Sequence, residues 1–350
     1  MHGHAPRRPL PAQLVGLGQP PLGDLDVNPR FWEGRSVLVT GAAGLLGGWV
    51  CRKLTATGVR VGGLDIEWSH GTVLNESDPI KRIDGDIRDR GTMDKVLRDE
   101  AIDTVVHLAA QAIVGPANED PVETFENNIL GTWVTLDACR RRPEMTGGVV
   151  ASSDKAYGDH GGALYIEGMA LLGRHPYAAS KTCTDVLAQT YAESFNLPIA
   201  ITRCGNMYGG GDTEWSRIVP GTIRSVLRGE RPVIRSDGHF VRDYFFVEDA
   251  ADGVIALAEA VATRTELIGE AFNFAADVHL SVLEIVERIL GLMESDLEPD
   301  VRNEAVNEIP EQRVNAQKAH EVLGWSPAHS LDEGLARTVE WYRGYFGGGG

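Results

Sequence analysis

The sequence predicts an α/β fold with a doubly wound parallel sheet, followed by a smaller C-terminal lobe. From Ser36 onward, short apolar runs alternate with longer helical segments, which is the rhythm of βαβ units. The strand segments are apolar at consecutive positions, as expected for parallel strands that helices cover on both faces. A chain of 350 residues with 43% hydrophobic residues can form one large domain and a second lobe.

These patterns place the elements in chain order. The predicted strands cover residues 36–40, 59–64, 104–109, 148–152, 199–203, 233–235 and 243–247. The predicted helices cover residues 45–54, 92–98, 121–140, 177–195, 218–228, 281–293 and 330–342. The alternation becomes irregular after Gly209. We therefore predict a sheet domain at residues 31–209 and a smaller lobe made mainly of residues 210–345, from which segments can return to the sheet domain. Residues 1–30, rich in Pro and Gly, are interpreted as an N-terminal arm, and residues 346–350 as a tail.

The composition excludes several classes of function. Lys and Arg total 33 against 50 Asp and Glu, a formal net charge of -17, so the chain lacks the basic excess of a nucleic-acid-binding protein. It has no apolar run long enough to span a membrane and no signal-peptide core, so we expect a cytoplasmic protein without a membrane partner. The four cysteines have no CxxC spacing and are expected to be buried free thiols. His2 and His4 lie in the predicted arm, and no metal site is expected.

Three glycines, Gly41, Gly44 and Gly47, lie between the first predicted strand and the first predicted helix. The first suits a tight turn, the second lets the backbone approach a pyrophosphate, and the third allows close helix–strand packing. The helix N-terminus that follows supplies amide donors and the positive end of the helix dipole. Ordinary turns also use glycine, but the strand–turn–helix setting predicts a dinucleotide site of the Rossmann type.

Two carboxylates further along the chain bear on the adenosine half of such a cofactor. Asp65 ends the second predicted strand, where a carboxylate accepts hydrogen bonds from the ribose. It would repel a 2′-phosphate, so it favours NAD over NADP. Asp86 can contact the adenine amino group, or it can be an ordinary loop carboxylate, and the sequence leaves both open.

Tyr177 and Lys181 lie at positions i and i+4 on one helix face. An ordinary tyrosine has a pKa of about 10, too high for a base at neutral pH. A nearby ammonium, together with the positive charge of a nicotinamide, favours the phenolate. Tyr177 can then accept a hydroxyl proton while hydride leaves for the cofactor. Ser153, at the end of a predicted strand, can orient the substrate oxygen, and Ser152 is expected to contact the cofactor.

Asp154 and Lys155 follow Ser153 directly and add a second acid–base pair. Oxidation of a hydroxyl-bearing carbon acidifies the proton on the neighbouring carbon, so loss of a hydroxyl group from the carbon beyond it needs a base and an acid at the same edge of the substrate. We assign Asp154 as the acid for the departing hydroxyl and Lys155 as the base, or as the group that sets the protonation of the base. Burial favours the uncharged form of both side chains, and the two are coupled. A salt-bridged Asp–Lys turn is the structural alternative.

The chain resembles the extended short-chain dehydrogenases/reductases of the nucleotide-sugar epimerase/dehydratase family over roughly residues 28–345. The matching motifs are residues 40–47, 65, 85–88, 107–111, 128–132, 152–158, 177–181, 203–209, 242–244 and 323–325. The resemblance implies an NAD cofactor and further cofactor contacts from Leu45, Leu46, Ile87, Ala109, Ala110, Gln111 and Asn128. It also implies that Asn206 and Arg242 contact a sugar diphosphate. The helices at 121–140 and 177–195 match those that form a homodimer in this family.

Within the family, residues 28–34, 120–125, 153–157 and 209–212 resemble the CDP-glucose 4,6-dehydratases, whereas residues 241–247 resemble general epimerases. The resemblance therefore implies an NAD-dependent 4,6-dehydratase of CDP-glucose or a related nucleotide hexose. A 4-epimerase, in which Asp154 and Lys155 only line the pocket, is the alternative, and a non-catalytic dinucleotide-binding sensor is a third. Arg217 and Arg235 are further substrate-binding candidates, and Trp215 is a candidate for stacking on the base, with a packing role as its alternative.

Overall fold

The computed structural model describes residues 28–68, 73–304 and 308–347. Most of the predicted arm, including His2 and His4, lies outside the described residues. Asn28 accepts a hydrogen bond from the Arg30 amide and caps a short helix, Pro29–Trp32, which is anchored by the fully buried Trp32. Pro29 and Arg30 therefore belong to this helix and not to the arm.

The described residues contain fourteen strands, and seven of them form the central sheet. In chain order they are β1 (Ser36–Thr40), β2 (Arg60–Asp65), β3 (Ile80–Asp84), β4 (Thr104–His107), β5 (Gly147–Ala151), β6 (Leu164–Tyr165), β7 (Ala200–Cys204), β8 (Asn206–Tyr208), β9 (Val233–Ile234), β10 (Val241–Phe246), β11 (Ala271–Phe274), β12 (His279–Ser281), β13 (Asp300–Val301) and β14 (Arg313–Val314). Seven of them form one parallel sheet in the order β11-β7-β5-β4-β1-β2-β3. This confirms the predicted doubly wound sheet. The strand order reverses between β1 and β4, so a crevice opens at their carboxyl ends.

Helices cover both faces of this sheet. In chain order they are α1 (Pro29–Trp32), α2 (Leu45–Ala56), α3 (Arg90–Asp99), α4 (Val114–Glu119), α5 (Pro121–Phe125), α6 (Gly131–Arg140), α7 (Pro176–Phe195), α8 (Ile218–Leu227), α9 (Val247–Thr263), α10 (Val282–Leu292), α11 (Gln317–Leu323) and α12 (Leu331–Gly347). Alternate residues of β1 point to opposite faces: Val37 and Val39 pack in the cluster with α2 and α9, and Leu38 packs in the cluster with α3 and α6. Both faces of the strand are thus buried, which explains its continuous apolar run.

The sequence-based assignment misses several elements of the large sheet. β3 is an edge strand with mostly exposed, charged residues, so it lacks the apolar pattern of a buried strand. Val247, predicted as the end of a strand, instead begins α9 directly after β10, without a Gly or Pro between the two elements. β11 pairs with β7, so residues 247–274 pack with the sheet domain.

The smaller lobe stands beyond the carboxyl ends of the large sheet. Its three-stranded sheet has the order β12-β10-β8, and β8 follows β7 after a single residue, Gly205. Ile223 of α8, Ile285 of α10 and Leu335 of α12 form a separate apolar core with β10. The lobe therefore closes over the crevice between β1 and β4.

Two further findings bear on the sequence expectations. All four cysteines are free thiols, and Cys51, Cys139 and Cys204 are buried, whereas Cys183 is only partly buried. Within the described residues, every helix is too short or too polar to cross a membrane.

Candidate active site

A cavity of about 860 Å³ fills the crevice between the large sheet and the smaller lobe. Of the residues predicted to form the site, it is lined by Gly41, Gly44, Leu45, Leu46, Gly47, Asp65, Asp86, Ile87, Ala109, Ala110, Gln111, Ser152, Ser153, Asp154, Lys155, Tyr177, Lys181, Asn206, Arg217, Arg235 and Arg242. Asn128 is the predicted residue that lies outside the lining. The fold thus gathers segments from along the sequence around one space.

The glycine turn forms the floor of one end of the cavity. Gly41 has a φ of +72°, and a Cβ there would stand 2.8 Å from the Ala109 backbone. A Cβ on Gly47 would stand 2.0 Å from the Gly41 oxygen, so helix α2 can approach β1 only with glycine at this position. Gly44 is the N-cap of α2, and a Cβ there would meet only the Gly41 oxygen, at 3.2 Å. The loop therefore leaves open space in front of the first-turn amides of Leu45 and Leu46.

The two predicted adenosine-site carboxylates have different partners. Asp65 accepts hydrogen bonds from the Ala43 amide (2.9 Å) and the Ile66 amide (2.8 Å), so it ties the end of β2 to the glycine turn. Asp86 binds the Arg88 guanidinium through both oxygens, and this interaction lowers its pKa. Both line the cavity. The contact of Asp86 with adenine stays a prediction.

Asn128 is buried behind the residues that line the cavity. The predicted helix 121–140 is interrupted between α5 and α6 by a π-helical turn, Glu126–Leu130, that contains this residue. The Asn128 side chain accepts from the Gln111 amide at 2.7 Å and donates to the Gln111 carbonyl and to the Ser180 hydroxyl, both at 2.9 Å. These contacts position Gln111 and helix α7, and the predicted role of Asn128 as a cofactor ligand stays a prediction.

Tyr177 and Lys181 lie in the first turns of α7, facing the end of β5. Lys181 donates to the Ala151 carbonyl (2.8 Å), and burial lowers its pKa to about 8. Burial raises the pKa of Tyr177 to about 12, and its hydrogen bond with Ser153 acts in the opposite direction. Among the charged neighbours, Arg217 lowers the Tyr177 pKa and Asp154 raises it, and the expected effect of the Lys181 ammonium stays a prediction.

Asp154 and Lys155 begin a 3-10 turn capped by Ser153. Asp154 is almost fully buried, and its Oδ1 accepts from the Ser153 hydroxyl at 2.9 Å. Lys155 Nζ lies 3.7 Å from the same oxygen and donates to Asn206 Oδ1 at 2.8 Å. Burial lowers the pKa of Lys155. The pair therefore lines the cavity beside Tyr177 and shares Ser153 with it.

The other end of the cavity is lined by cationic side chains together with carboxylates, some of which pair with them. Arg242 is buried and pairs with Glu308 at 3.1 Å. Arg217 donates to both oxygens of the buried Asp212, each at 3.0 Å. Arg235 lines the same end. These guanidinium groups suit a diphosphate, which they can bind through two hydrogen bonds each.

Trp215 does not join this lining. Its ring lies against Tyr342 and Phe346, with the Arg224 guanidinium over its face at 4.9 Å. The packing role, which the sequence left open, is the one the structure shows.

Among the polar cavity residues that sequence reasoning missed are Gln312 and Glu308. Gln312 is almost fully buried and donates to Asp154 Oδ2 at 3.3 Å. Both belong to an irregular stretch between α10 and α11, without periodicity or a motif. Only their contacts with Asp154 and Arg242, distant in sequence, single them out.

The cavity residues fit NAD. The open glycine turn and the free face of the α2 N-terminus suit a pyrophosphate, and Asp65 stands at the end of the neighbouring strand. Tyr177, Lys181 and Ser153 stand at the opposite wall, where a hydroxyl group can be oxidised. Fold and site together define a dinucleotide-dependent enzyme of the dehydrogenase/reductase class.

Comparison with known proteins narrows this class. Residues 37–275 match the model of the NAD dependent epimerase/dehydratase family. This segment is most of the chain, and the protein therefore belongs to that family. It is an NAD-dependent enzyme of this kind.

Its relatives include several dehydratases. The chain is 29% identical to CDP-glucose 4,6-dehydratase of Salmonella typhimurium over 340 residues, 92% of this chain and 94% of that protein. It is 31% identical to dTDP-glucose 4,6-dehydratase of Neisseria gonorrhoeae over 339 residues, 88% of this chain and 95% of that protein.

Solved structures include both kinds of enzyme. A UDP-glucose 4-epimerase from Thermotoga maritima, with UDP-glucose, superimposes with a TM-score of 0.81 at 27% identity, covering 89% of this chain and 99% of that one. A dTDP-glucose 4,6-dehydratase from Streptomyces venezuelae, with NAD bound, gives 0.79 at 27% identity, covering 89% and 98%. Overall shape thus fits both reactions, and the distinction must come from side chains.

Proposed function

We propose that this protein is an NAD-dependent nucleotide-sugar 4,6-dehydratase that acts on CDP-glucose or a related nucleoside diphosphate hexose. The reaction oxidises C4, eliminates water across C5 and C6, and returns the hydride to C6. One observation carries the proposal: Asp154 and Lys155 lie in the same cavity as Tyr177, in hydrogen-bonding reach of the shared Ser153. An oxidation and its reversal need only Tyr177, whereas elimination needs a second acid and base.

The first half of the reaction uses the wall formed by α7. Ser153 orients the C4 hydroxyl, and Tyr177 accepts its proton. When bound, NAD would supply the hydride acceptor and a positive charge that favours the phenolate form of Tyr177. Burial by itself raises the pKa of Tyr177 to about 12.

The second half uses Asp154 and Lys155. Burial lowers the pKa of Lys155, which favours the neutral amine that a C5 base requires. Asp154, held at the same edge, protonates the departing C6 hydroxyl, so that water leaves. The protonated Lys155 then returns its proton to C5 as hydride reaches C6.

Ser153 can pass a proton from Tyr177 to Asp154 at the end of a turnover. In one turnover Tyr177 gains a proton from the C4 hydroxyl, and Asp154 loses one to water. Ser153 is hydrogen-bonded to both groups, and its oxygen also accepts from the Lys155 amide at 3.2 Å. A hydroxyl has one donor and two acceptor positions, so all three contacts are satisfied. A two-proton shift through Ser153 restores the starting state of Tyr177 and Asp154.

A 4-epimerase is the second candidate, supported by the structural similarity to the Thermotoga maritima enzyme. In that case Asp154 and Lys155 only shape the pocket, and C6 keeps its hydroxyl. A non-catalytic sensor is a poorer account, because both Tyr177 and Lys181 are retained at the cavity.

The test is incubation of the purified protein with NAD and, separately, the glucose derivatives of CDP, dTDP, GDP and UDP. Loss of one water from the product mass establishes dehydration and identifies the nucleotide. An unchanged mass with a new sugar isomer establishes the epimerase instead. In D₂O the dehydratase also places deuterium at C5, which an epimerase need not do.

We also propose that the protein is a homodimer formed through α5, α6 and α7. Apolar side chains are exposed along these helices: Val122, Phe125, Trp133 and Val186 have relative exposures of 65, 37, 42 and 52%. Val122, Phe125 and Trp133 recur at near-helical spacing and so form a stripe on one side of the α5–α6 segment. A second copy would bury this stripe.

Sedimentation analysis of Trp133→Asp tests the dimer. The substitution is expected to yield a monomer, whereas Leu292→Asp, at an exposed apolar residue of the smaller lobe, is expected to leave the dimer intact. A monomeric wild-type protein would contradict the proposal.

A further inference from the structure

The segment that carries Gln312 crosses directly over the acid–base pair. The Val241 amide donates to the Pro310 carbonyl at 2.9 Å, and the Gln312 amide donates to the Val241 carbonyl at 3.0 Å. Two residues later, β14 pairs with β6. Gln312 is therefore fixed by backbone hydrogen bonds on one side and by a strand pair on the other, and its side-chain position is set by the fold.

The Gln312 side chain completes the surroundings of Asp154. Oδ1 of Asp154 faces the Ser153 hydroxyl and the Lys155 ammonium, as described above. Oδ2 accepts from Gln312 Nε2 at 3.3 Å, and both residues are almost fully buried. Among the described residues, Gln312 is the hydrogen-bond donor to Oδ2, so it holds this oxygen while Ser153 holds Oδ1.

An amide suits a group that alternates between acid and carboxylate. It donates through nitrogen to a carboxylate, and after a half-turn of the amide it accepts through oxygen from a carboxylic acid. A lysine would hold the carboxylate only, and an apolar residue would leave Oδ2 buried without a partner. Gln312 can therefore hold Asp154 in one orientation before and after it gives up its proton.

We infer that Gln312 is a positioning residue for the elimination step, which aims the Asp154 carboxyl group at the departing C6 hydroxyl in both protonation states. This inference rests on the proposed dehydratase function. It assigns Gln312 no part in the oxidation at C4, because its contact is with Asp154 and not with Tyr177 or Lys181.

The direct test is Gln312→Leu, which keeps the bulk of the side chain and removes the amide. Gln317→Leu is the matched control, because Gln317 begins the next helix, α11, is exposed and pairs with Glu321. In single-turnover experiments, reduction of the bound nicotinamide reports the C4 oxidation, and product mass reports the loss of water. We expect Gln312→Leu to slow water loss by about a hundredfold, as for a misplaced catalytic group, and to leave nicotinamide reduction near the wild-type rate.

A second variant decides the matter if Gln312→Leu does not fold. Gln312→Glu has nearly the same shape and places a second carboxyl group against Asp154, so the two compete for one proton. The pH at which elimination loses its acid is then expected to move upward, while the pH dependence of the oxidation stays unchanged. If Gln312 had only a structural role, the substitution would not shift the pH profile of elimination while leaving that of oxidation unchanged.

Three outcomes would overturn the inference. Wild-type water loss in Gln312→Leu, or an equal fall of both steps, excludes a role specific to elimination, as does an unshifted elimination profile in Gln312→Glu. If the wild-type enzyme itself removes no water, the proposed function fails first, and the role of Gln312 fails with it. The wild-type control alone therefore tells a failure of the proposed function from a failure of the role of Gln312.

Discussion

The two ends of the cavity differ in how the chain builds them. The cofactor end is made from short, continuous segments, the glycine turn at Gly41–Gly47 and the strand end at Asp65, and it offers mainly backbone amides. The sugar end is assembled from side chains far apart in sequence: Asp154 and Gln312, for example, are separated by 158 residues. The cofactor end is therefore built from residues close together in sequence, whereas the sugar end depends on tertiary contacts between distant residues.

The two ends also differ in the kind of group that can hold an anion. The cofactor end holds an anion by backbone donors and a helix terminus, whereas the sugar end collects Lys155, Arg217, Arg235 and Arg242 in a protein of net charge -17. Changes at the first end should therefore affect NAD binding, and changes at the second should affect substrate binding or single chemical steps.

Tyr177 stands where the two ends meet, and its loss should have the largest effect. Tyr177→Phe removes the base and is expected to lower turnover by about 10²- to 10⁴-fold, while NAD still binds. Rates of product formation and NAD binding by calorimetry check this. Retained full turnover would contradict the assignment of Tyr177 as the base.

Gly47→Ala tests the cofactor end. The new Cβ would stand 2.0 Å from the Gly41 oxygen, so the turn must shift at a cost of about 1–3 kcal/mol. We expect NAD to bind at least about tenfold more weakly. Gly291→Ala is the control, because a Cβ there meets nothing within 4 Å. Equal NAD affinity in the two variants would exclude the close approach of α2 as a requirement.

Arg242→Lys tests the sugar end. Lysine keeps the charge but loses the two-pronged hydrogen bond, which is worth about 1.5–3 kcal/mol for a charged partner. The KM for the nucleotide sugar should rise about tenfold to a hundredfold, with NAD affinity unchanged. Arg302→Lys, at an exposed ion pair of the same lobe, serves as the control. A lower kcat at constant KM would speak against a diphosphate contact.

Ser153 links the two ends of the cavity. Of the substitutions considered, Ser153→Ala should have the smallest effect on the oxidation. The Ser153 hydrogen bond lowers the pKa of Tyr177, so its removal raises that pKa and reduces the phenolate fraction at any given pH. In a plot of kcat/KM against pH, the rising limb should therefore move to higher pH by about half to one pH unit. Ser153→Thr, which keeps the hydroxyl, should retain the wild-type limb. An unmoved limb in Ser153→Ala would remove Ser153 from the control of Tyr177.

The same contrast explains what the sequence can predict. The β1–α2 turn, the strand end at Asp65 and the i, i+4 pair on α7 each lie within one or two elements, so spacing alone reveals them. β3 escaped prediction because its exposed, charged edge lacks an apolar pattern. Gln312 escaped because its position is set by hydrogen bonds to Val241, some seventy residues away. The hydrogen bond of Lys181 to the β5 backbone was also beyond the sequence, and so was the burial that raises the pKa of Tyr177.

The most direct test of the whole account is a single turnover of Asp154→Asn with the nucleotide sugar that the wild-type enzyme uses. Nicotinamide reduction and loss of water are followed separately. The account predicts that C4 oxidation persists while water loss slows by about 10²-fold or more, since asparagine cannot act as an acid. Water loss at the wild-type rate would show that Asp154 is structural and would contradict the division of the cavity into an oxidising and an eliminating half.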